Sequence, residues 1–161
     1  MLLLLFQIDI LQSEESIINY IIVRKKDKDR YLLYLYPELK THICQENSTK
    51  YEDEISKINN YDKVRQIGEN ESHLCSLIRD DLAEEFITYV NKTNISLSKT
   101  KIQSSPFETN SFLHNKNPTM IEYAAFHGSI RIFQYLRLQQ VDLAKSLWLY
   151  AIHSNNPELI H

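Results

Sequence analysis

The chain has 161 residues, a mass of 19.1 kDa, 43% hydrophobic and 24% charged residues, and a formal net charge of −3. That length suits one domain or a small array with a buried core, and the composition is ordinary for a globular chain. The charge excludes a basic field for nucleic acid, and two Gly with four Pro are too few turn-formers for a many-stranded sandwich or barrel, so helices become the default.

Residues 1–10, M-L-L-L-L-F-Q-I-D-I, are apolar but carry no basic leader, are broken by Gln7 and Asp9, and precede no small-residue cleavage site. The run is far shorter than the ~20 residues of a membrane span. It reads as the opening of a buried helix whose stripe continues through Ile8, Leu11, Ile18, Ile21 and Ile22. The alternative is a new helix capped by Ser13, with Glu14 and Glu15 in its first turn; Ser16 stands where a capping box needs Glu or Gln.

Residues 24–30, R-K-K-D-K-D-R, read as a solvated charged turn with counter-charges in Asp27 and Asp29, against a phosphate or acidic-partner patch. Residues 31–36, Y-L-L-Y-L-Y, fit a strand or a helix, and Pro37 suits the first turn of a new helix, so a helix–helix junction is expected. Residues 45–50 read as a loop. Residues 51–66 read as a charged helix with Ile55, Ile58 and Val64 inward, ended by Gly68. The whole of residues 1–68 is expected to form a helical amino-terminal region.

Two His-x-Cys triplets, His42-Ile43-Cys44 and His73-Leu74-Cys75, hold ligand types that suit Zn²⁺. On a helix, residues i and i+2 point about 200° apart, so each pair could chelate only from an extended segment. The expectation is therefore no metal and no cofactor, with the cysteines as reduced thiols of a cytoplasmic protein. Sequons at Asn47, Asn70, Asn91 and Asn94 carry little weight without an export signal. The acidic cluster Asp80, Asp81, Glu84 and Glu85 could be a catalytic carboxylate pair. Its position at the start of a helix favours a dipole interaction instead, ~0.3–1 kcal/mol each when exposed. No catalytic triad order, phosphate loop or zinc-protease histidine pair occurs, and no enzyme is expected.

Residues 119–136, T-M-I-E-Y-A-A-F-H-G-S-I-R-I-F-Q-Y-L, split into two short amphipathic helices. Ile121, Ala124 and Ala125 share one side of the first, Gly128 can take the positive φ that ends it, and Ser129 is expected to cap the second. Such helices are too short to be stable alone and must stack on neighbours. An offset of 27 residues sets Tyr150 on Tyr123, Ala151 on Ala124 and Asn155 on Gly128; an offset of 46 sets Tyr89 on Tyr135 and Cys75 on Ile121. Three helix pairs follow, at about 72–95, 119–139 and 146–161, the last cut off by the chain end.

Thr119, Ala124-Ala125, Gly128, Ile132-Phe133, Tyr135-Leu136 and Val141-Asp142 resemble the ankyrin repeat. More narrowly, the segments E-Y-A-A-F-H-G-S-I-R-I-F-Q-Y-L and S-L-W-L-Y-A-I-H-S-N-N-P-E-L-I-H resemble protist ankyrin proteins that carry a helical amino-terminal region of unknown function. The resemblance covers residues 57–161. Met120, Glu122 and Gln140 depart from the pattern, and the periods depart from about 33 residues. The long connection 98–118 is expected to make an irregular excursion. The implied fold is all-α, a helical region and then an ankyrin-like α-solenoid over residues 69–161.

The resemblance also implies that the two residues before each helix-ending Gly face a concave surface: Phe126 and His127, His153 and Ser154, and Asp80 and Asp81 in the first pair. That surface would suit an unidentified protein or peptide partner, with no nucleic acid and no membrane. The alternatives are a truncated repeat fragment and a metal-binding domain built on the His-x-Cys pairs.

Overall fold

The structure, a computed structural model, describes residues 28–43, 45–114 and 116–159. The expectations for residues 1–27 and for Cys44 lie outside these. Every regular element among the described residues is a helix; extended backbone pairs only at an isolated antiparallel bridge between Lys101 and Thr119. No helix among them is long and apolar enough to cross a membrane. The chain divides into two compact units: one comprises residues up to Glu69 with Ser105–His114, the other Asn70–Ser104 with the residues from 115 onward.

The first unit contains α1 (Lys28–Tyr34), α2 (Tyr36–Leu39), a 3-10 turn (Lys40–His42), α3 (Gln45–Ser56) and α4 (Tyr61–Ile67). Residues 28–30, read as part of a charged turn, are helical. The aromatic run is helical on both sides of Leu35, and Pro37 lies in the first turn of α2, where its missing N–H costs little. Residues 45–50 are helix rather than loop. Tyr51, 2% exposed in the core, anchors that helix, so burial outweighs the weak helix propensity of Asn and Ser.

The helix expected over 51–66 is two helices. Bonds of the i to i+3 type tighten the end of α3 (Lys57 N to Glu54 O 3.2 Å, Ile58 N to Ile55 O 2.9 Å). Asn60 then turns left-handed at φ 56°, a region Asn tolerates better than most residues. The core gathers Leu32, Leu33, Tyr36, Leu39, Tyr51, Tyr61 and Phe107. The Tyr61 hydroxyl donates to the Leu33 carbonyl at 2.5 Å, and burial pushes its pKa up to about 12. Phe107 meets Tyr61 edge-on at 5.8 Å, so the excursion supplies a central side chain of this unit.

Gly68 ends α4 at φ 69°, and its carbonyl accepts from the Thr109 amide (2.9 Å) and hydroxyl (2.8 Å). A Cβ there would sit 2.9 Å from Thr109 Cγ2. Gly68→Ala is expected to destabilise this unit by about 1–3 kcal/mol, read as a lower urea midpoint with an unchanged slope. An unchanged midpoint would show that the contact is dispensable.

Among the described residues the second unit holds two helix pairs, α5 (His73–Arg79) with α6 (Ala83–Thr93) and α7 (Met120–His127) with α8 (Ile130–Leu138), and then α9 (Leu147–Ser154), which a 3-10 turn (Pro157–Leu159) follows where a third pair was expected to have its second helix. The first helices neighbour one another in order, α7 packing against both α5 and α9. Helix ends recur in detail. Leu82 N to Leu77 O (3.0 Å), Ser129 N to Ala124 O (3.0 Å), Ile95 N to Val90 O (3.1 Å) and Val141 N to Leu136 O (3.4 Å) are the same six-to-one closure around a left-handed residue. Those residues are Asp81, Gly128, Asn94 and Gln140, and Asn155 occupies the same conformation after α9.

This geometry corrects the sequence register. Asp81 lies 47 residues before Gly128, whereas Asn94 lies 46 before Gln140; the 46-residue offset holds for the second helices and is one short for the first. Hydroxyl N-caps repeat in step with the longer offset: Ser72 accepts from Cys75 N, and Thr119 forms a capping box with Glu122. The Asn155–Gly128 correspondence, at 27 residues, holds as expected.

Candidate partner-binding surface

Of the six residues expected to meet a partner, Phe126 and His127 end α7, His153 and Ser154 end α9, and Asp80 and Asp81 follow α5. In the corrected register Arg79, Phe126 and His153 are equivalent, as are Asp80, His127 and Ser154. Asp81 takes the place of Gly128. Its carboxylate accepts from the amides of Arg131 and Ile132, both at 3.0 Å, and so caps α8, a helix of the next pair. Ser129, expected to cap α8, makes no cap bond. Its hydroxyl instead donates to the Ile78 carbonyl at the end of α5, at 2.5 Å. Both bonds join the first pair to the second.

Where the left-handed residue is Gly128 there is no side chain to cap the following turn, and Asn156 does so itself, its Oδ1 accepting from Glu158 N at 3.1 Å. Ser154 donates to the Ala151 carbonyl at 2.7 Å and accepts from Asn156 N at 3.2 Å. Asp81 and Ser154 are thus engaged with backbone, while Asp80 is exposed at the end of α5.

Phe126, His127 and His153 come together. The Phe126 ring is 5.0 Å from His127 and 5.4 Å from His153, and His127 lies 4.5 Å from Tyr123. Phe126 and His127 are half-buried and His153 exposed; Tyr123 is fully buried. Arg79, which the uncorrected register missed, donates to the Tyr123 hydroxyl (3.2 Å) and to the Asn70 carbonyl (2.7 Å). The only sequence signal for it was the one-residue offset between first and second helices. The arrangement is an aromatic ladder reaching from the core to solvent, a shape that can accept an apolar side chain along its edge.

Burial, with a smaller contribution from the Arg79 charge, lowers the His127 pKa from 6.5 to about 4. The imidazole is neutral at physiological pH, and its Nε2 has no hydrogen-bond partner among the described residues.

The metal alternative fails at its second triplet on geometry. His73 is exposed with its ring edge-on to Tyr89 at 5.1 Å, while Cys75 is fully buried in the same helix. The side chain of His42 and all of Cys44 lie outside the described residues. A groove of about 430 Å³ along α6 is lined by His73, Glu84, Glu85, Thr88, Tyr89 and Lys92. Glu84 and Glu85 occupy the first turn of α6, where the helix dipole favours them. No family model, curated protein or solved structure matches this chain.

The lowered His127 pKa sets a pH dependence. Between pH 6.5 and about 4 the unfolded chain binds a proton that the folded chain does not, so this contribution is complete above 6.5 and is lost as pH falls towards 4. Over the full window it amounts to about 3 kcal/mol at most. Urea unfolding at pH 7 and pH 4.5 is expected to show this loss, and His127→Gln to flatten it. Equal acid sensitivity in the variant would assign the slope to other groups.

Proposed function

We propose that the chain is a non-catalytic protein-interaction module, a helical amino-terminal region followed by degenerate ankyrin-type helix pairs stacked as an α-solenoid. The observation that carries this reading is the recurrence of one turn design. After each first helix the chain turns through a left-handed residue, at Asp81, Gly128 and Asn155, and the two preceding positions carry Arg79-Asp80, Phe126-His127 and His153-Ser154. Backbone bonds hold the turns, and of the residues beside them Asp80 and His153 are exposed and Phe126 is half-buried. A repeat architecture works in this way: each pair buries its faces against its neighbours, and the turn edges form a continuous binding surface.

The partner that fits is a protein or peptide offering an apolar or aromatic side chain to the Phe126–His153 edge, with a polar group towards Asp80. Aromatic anchors dominate such contacts. Phe126→Ala combined with His153→Ala leaves the turn bonds intact. That double variant is expected to lower the yield of proteins captured from a lysate by about tenfold, or ~1.4 kcal/mol, with unaltered circular dichroism. Undiminished capture by the folded variant would remove this edge as the binding surface.

A further inference from the structure

The irregular connection before α7 carries a compact segment, Ser105–His114, that belongs to the first unit. Its own side chains hold its backbone. Ser105 Oγ accepts from Phe107 N (3.0 Å), Glu108 Oε1 from Asn110 N (2.9 Å) and Asn110 Oδ1 from Phe112 N (2.9 Å). The two arms that carry it are joined at their base, by the Lys101–Thr119 bridge and by Ile102 N to Pro118 O at 2.8 Å. A segment satisfied locally in this way can leave its seat without stranding those amides.

Its attachment has the form of a bound peptide. One aromatic anchor, Phe107, is fully buried, its ring edge-on to Tyr61 at 5.8 Å and tilted against Tyr34 at 6.3 Å. Two residues on, Thr109 donates its amide and its hydroxyl to the Gly68 carbonyl. Buried aromatic anchors dominate the energy of such contacts, and a few placed polar groups fix orientation.

The seat is braced without the segment. The Tyr61 hydroxyl donates to the Leu33 carbonyl and the Tyr34 hydroxyl to the Arg65 carbonyl (3.1 Å), so both walls of the Phe107 site are tied between α1 and α4. Arg65 Nη1 donates to Glu38 Oε2 at 3.1 Å, and its guanidinium lies over the Tyr34 ring, which adds α2 to the frame. Gly68, with no Cβ, leaves room for the Thr109 side chain.

We propose that the first unit is a peptide receptor whose cleft, formed by Tyr34, Tyr61 and Gly68, is filled by the chain's own residues 107–109 as an internal ligand. The external ligand is a segment of another polypeptide with an aromatic residue two positions before a threonine, and it enters when the internal segment lifts out. Its ring takes the Tyr34–Tyr61 site, and its threonine amide and hydroxyl take the Gly68 carbonyl. A second copy of this chain is the poorer donor, because its segment must first leave its own cleft.

Two measurements on the full chain test this. Native-state hydrogen exchange is expected to show the Thr109 amide opening at lower free energy than the Leu35 and Val64 amides, which bond within the frame. Opening of Thr109 only together with those amides would make the segment inseparable core and overturn the proposal; this result stands without any variant. The second is fluorescence anisotropy with a labelled peptide of residues 105–114. A chain carrying Phe107→Ala and Thr109→Ala is expected to bind it saturably, at least tenfold more tightly than the unaltered chain, whose tethered segment competes at high effective concentration. Phe107→Ala in the peptide should weaken binding at least tenfold, and Thr109→Val in the peptide several-fold. No binding to the folded variant at millimolar peptide, or equal binding of the Phe107→Ala peptide, would overturn the proposal. So would a concentration-dependent dimer of the unaltered chain that Phe107→Ala abolishes, which would make a second copy the donor.

Discussion

One short side chain organises the second unit. The Asp81 carboxylate receives two backbone amides of α8 at 3.0 Å, while Ser129, at the start of that helix, gives its hydroxyl to the last turn of α5. A helix start normally finds its acceptor in its own N-cap residue. Here the acceptor comes from the preceding pair, so α8 and the turn after α5 are each incomplete without the other. Each cap is a modest stabilisation, ~1 kcal/mol; its significance is that separating the two elements leaves two α8 amides without their acceptor and the Ile78 carbonyl without the Ser129 hydroxyl.

The other contacts between pairs follow from what this arrangement requires. Asp81 can hold its left-handed conformation because Asp, like Asn, tolerates φ > 0. Gly128 holds the same conformation without a side chain, so α9 and the turn after it are tied differently. The Ser146 hydroxyl reaches Glu122, and Asn156 caps its own turn. Glu122 therefore serves two ends at once, closing the capping box on Thr119 and receiving Ser146, which accounts for a carboxylate only 6% exposed. Aromatic packing fills the space behind these bonds, with Phe86 edge-on to Tyr135 at 6.2 Å and Leu136 fully buried.

Much of this was legible in the residues. The helical class follows from scarce Gly and Pro, and the hinges at Gly128 and Asn155 follow from residue types that favour positive φ. The start of α3 was less legible, because it depends on tertiary burial of Tyr51 rather than on local propensity. The role of Ser129 was misread for a related reason. Ser before a helix is the standard cap signal, and nothing within the segment reveals that Asp81, some fifty residues upstream, supplies a stronger acceptor. The same hidden partner concealed the one-residue difference between first and second helices. Phe107, in the middle of an irregular connection, gives no periodic signal of the core position it occupies.

The turns of the second unit are held by backbone closures and caps. Side chains at these turns add to the same framework, Arg79 reaching the Tyr123 hydroxyl and the Asn70 carbonyl and Ser154 the Ala151 carbonyl. The most direct measurement of that coupling is native-state hydrogen exchange at the Arg131 and Ile132 amides. If Asp81 ties the pairs together, both amides open with the same free energy as the amides in the middle of α5, and they lose that protection together in Asp81→Gly. Fast exchange at Arg131 and Ile132 in the unaltered chain, typical of a frayed helix start, would contradict the account.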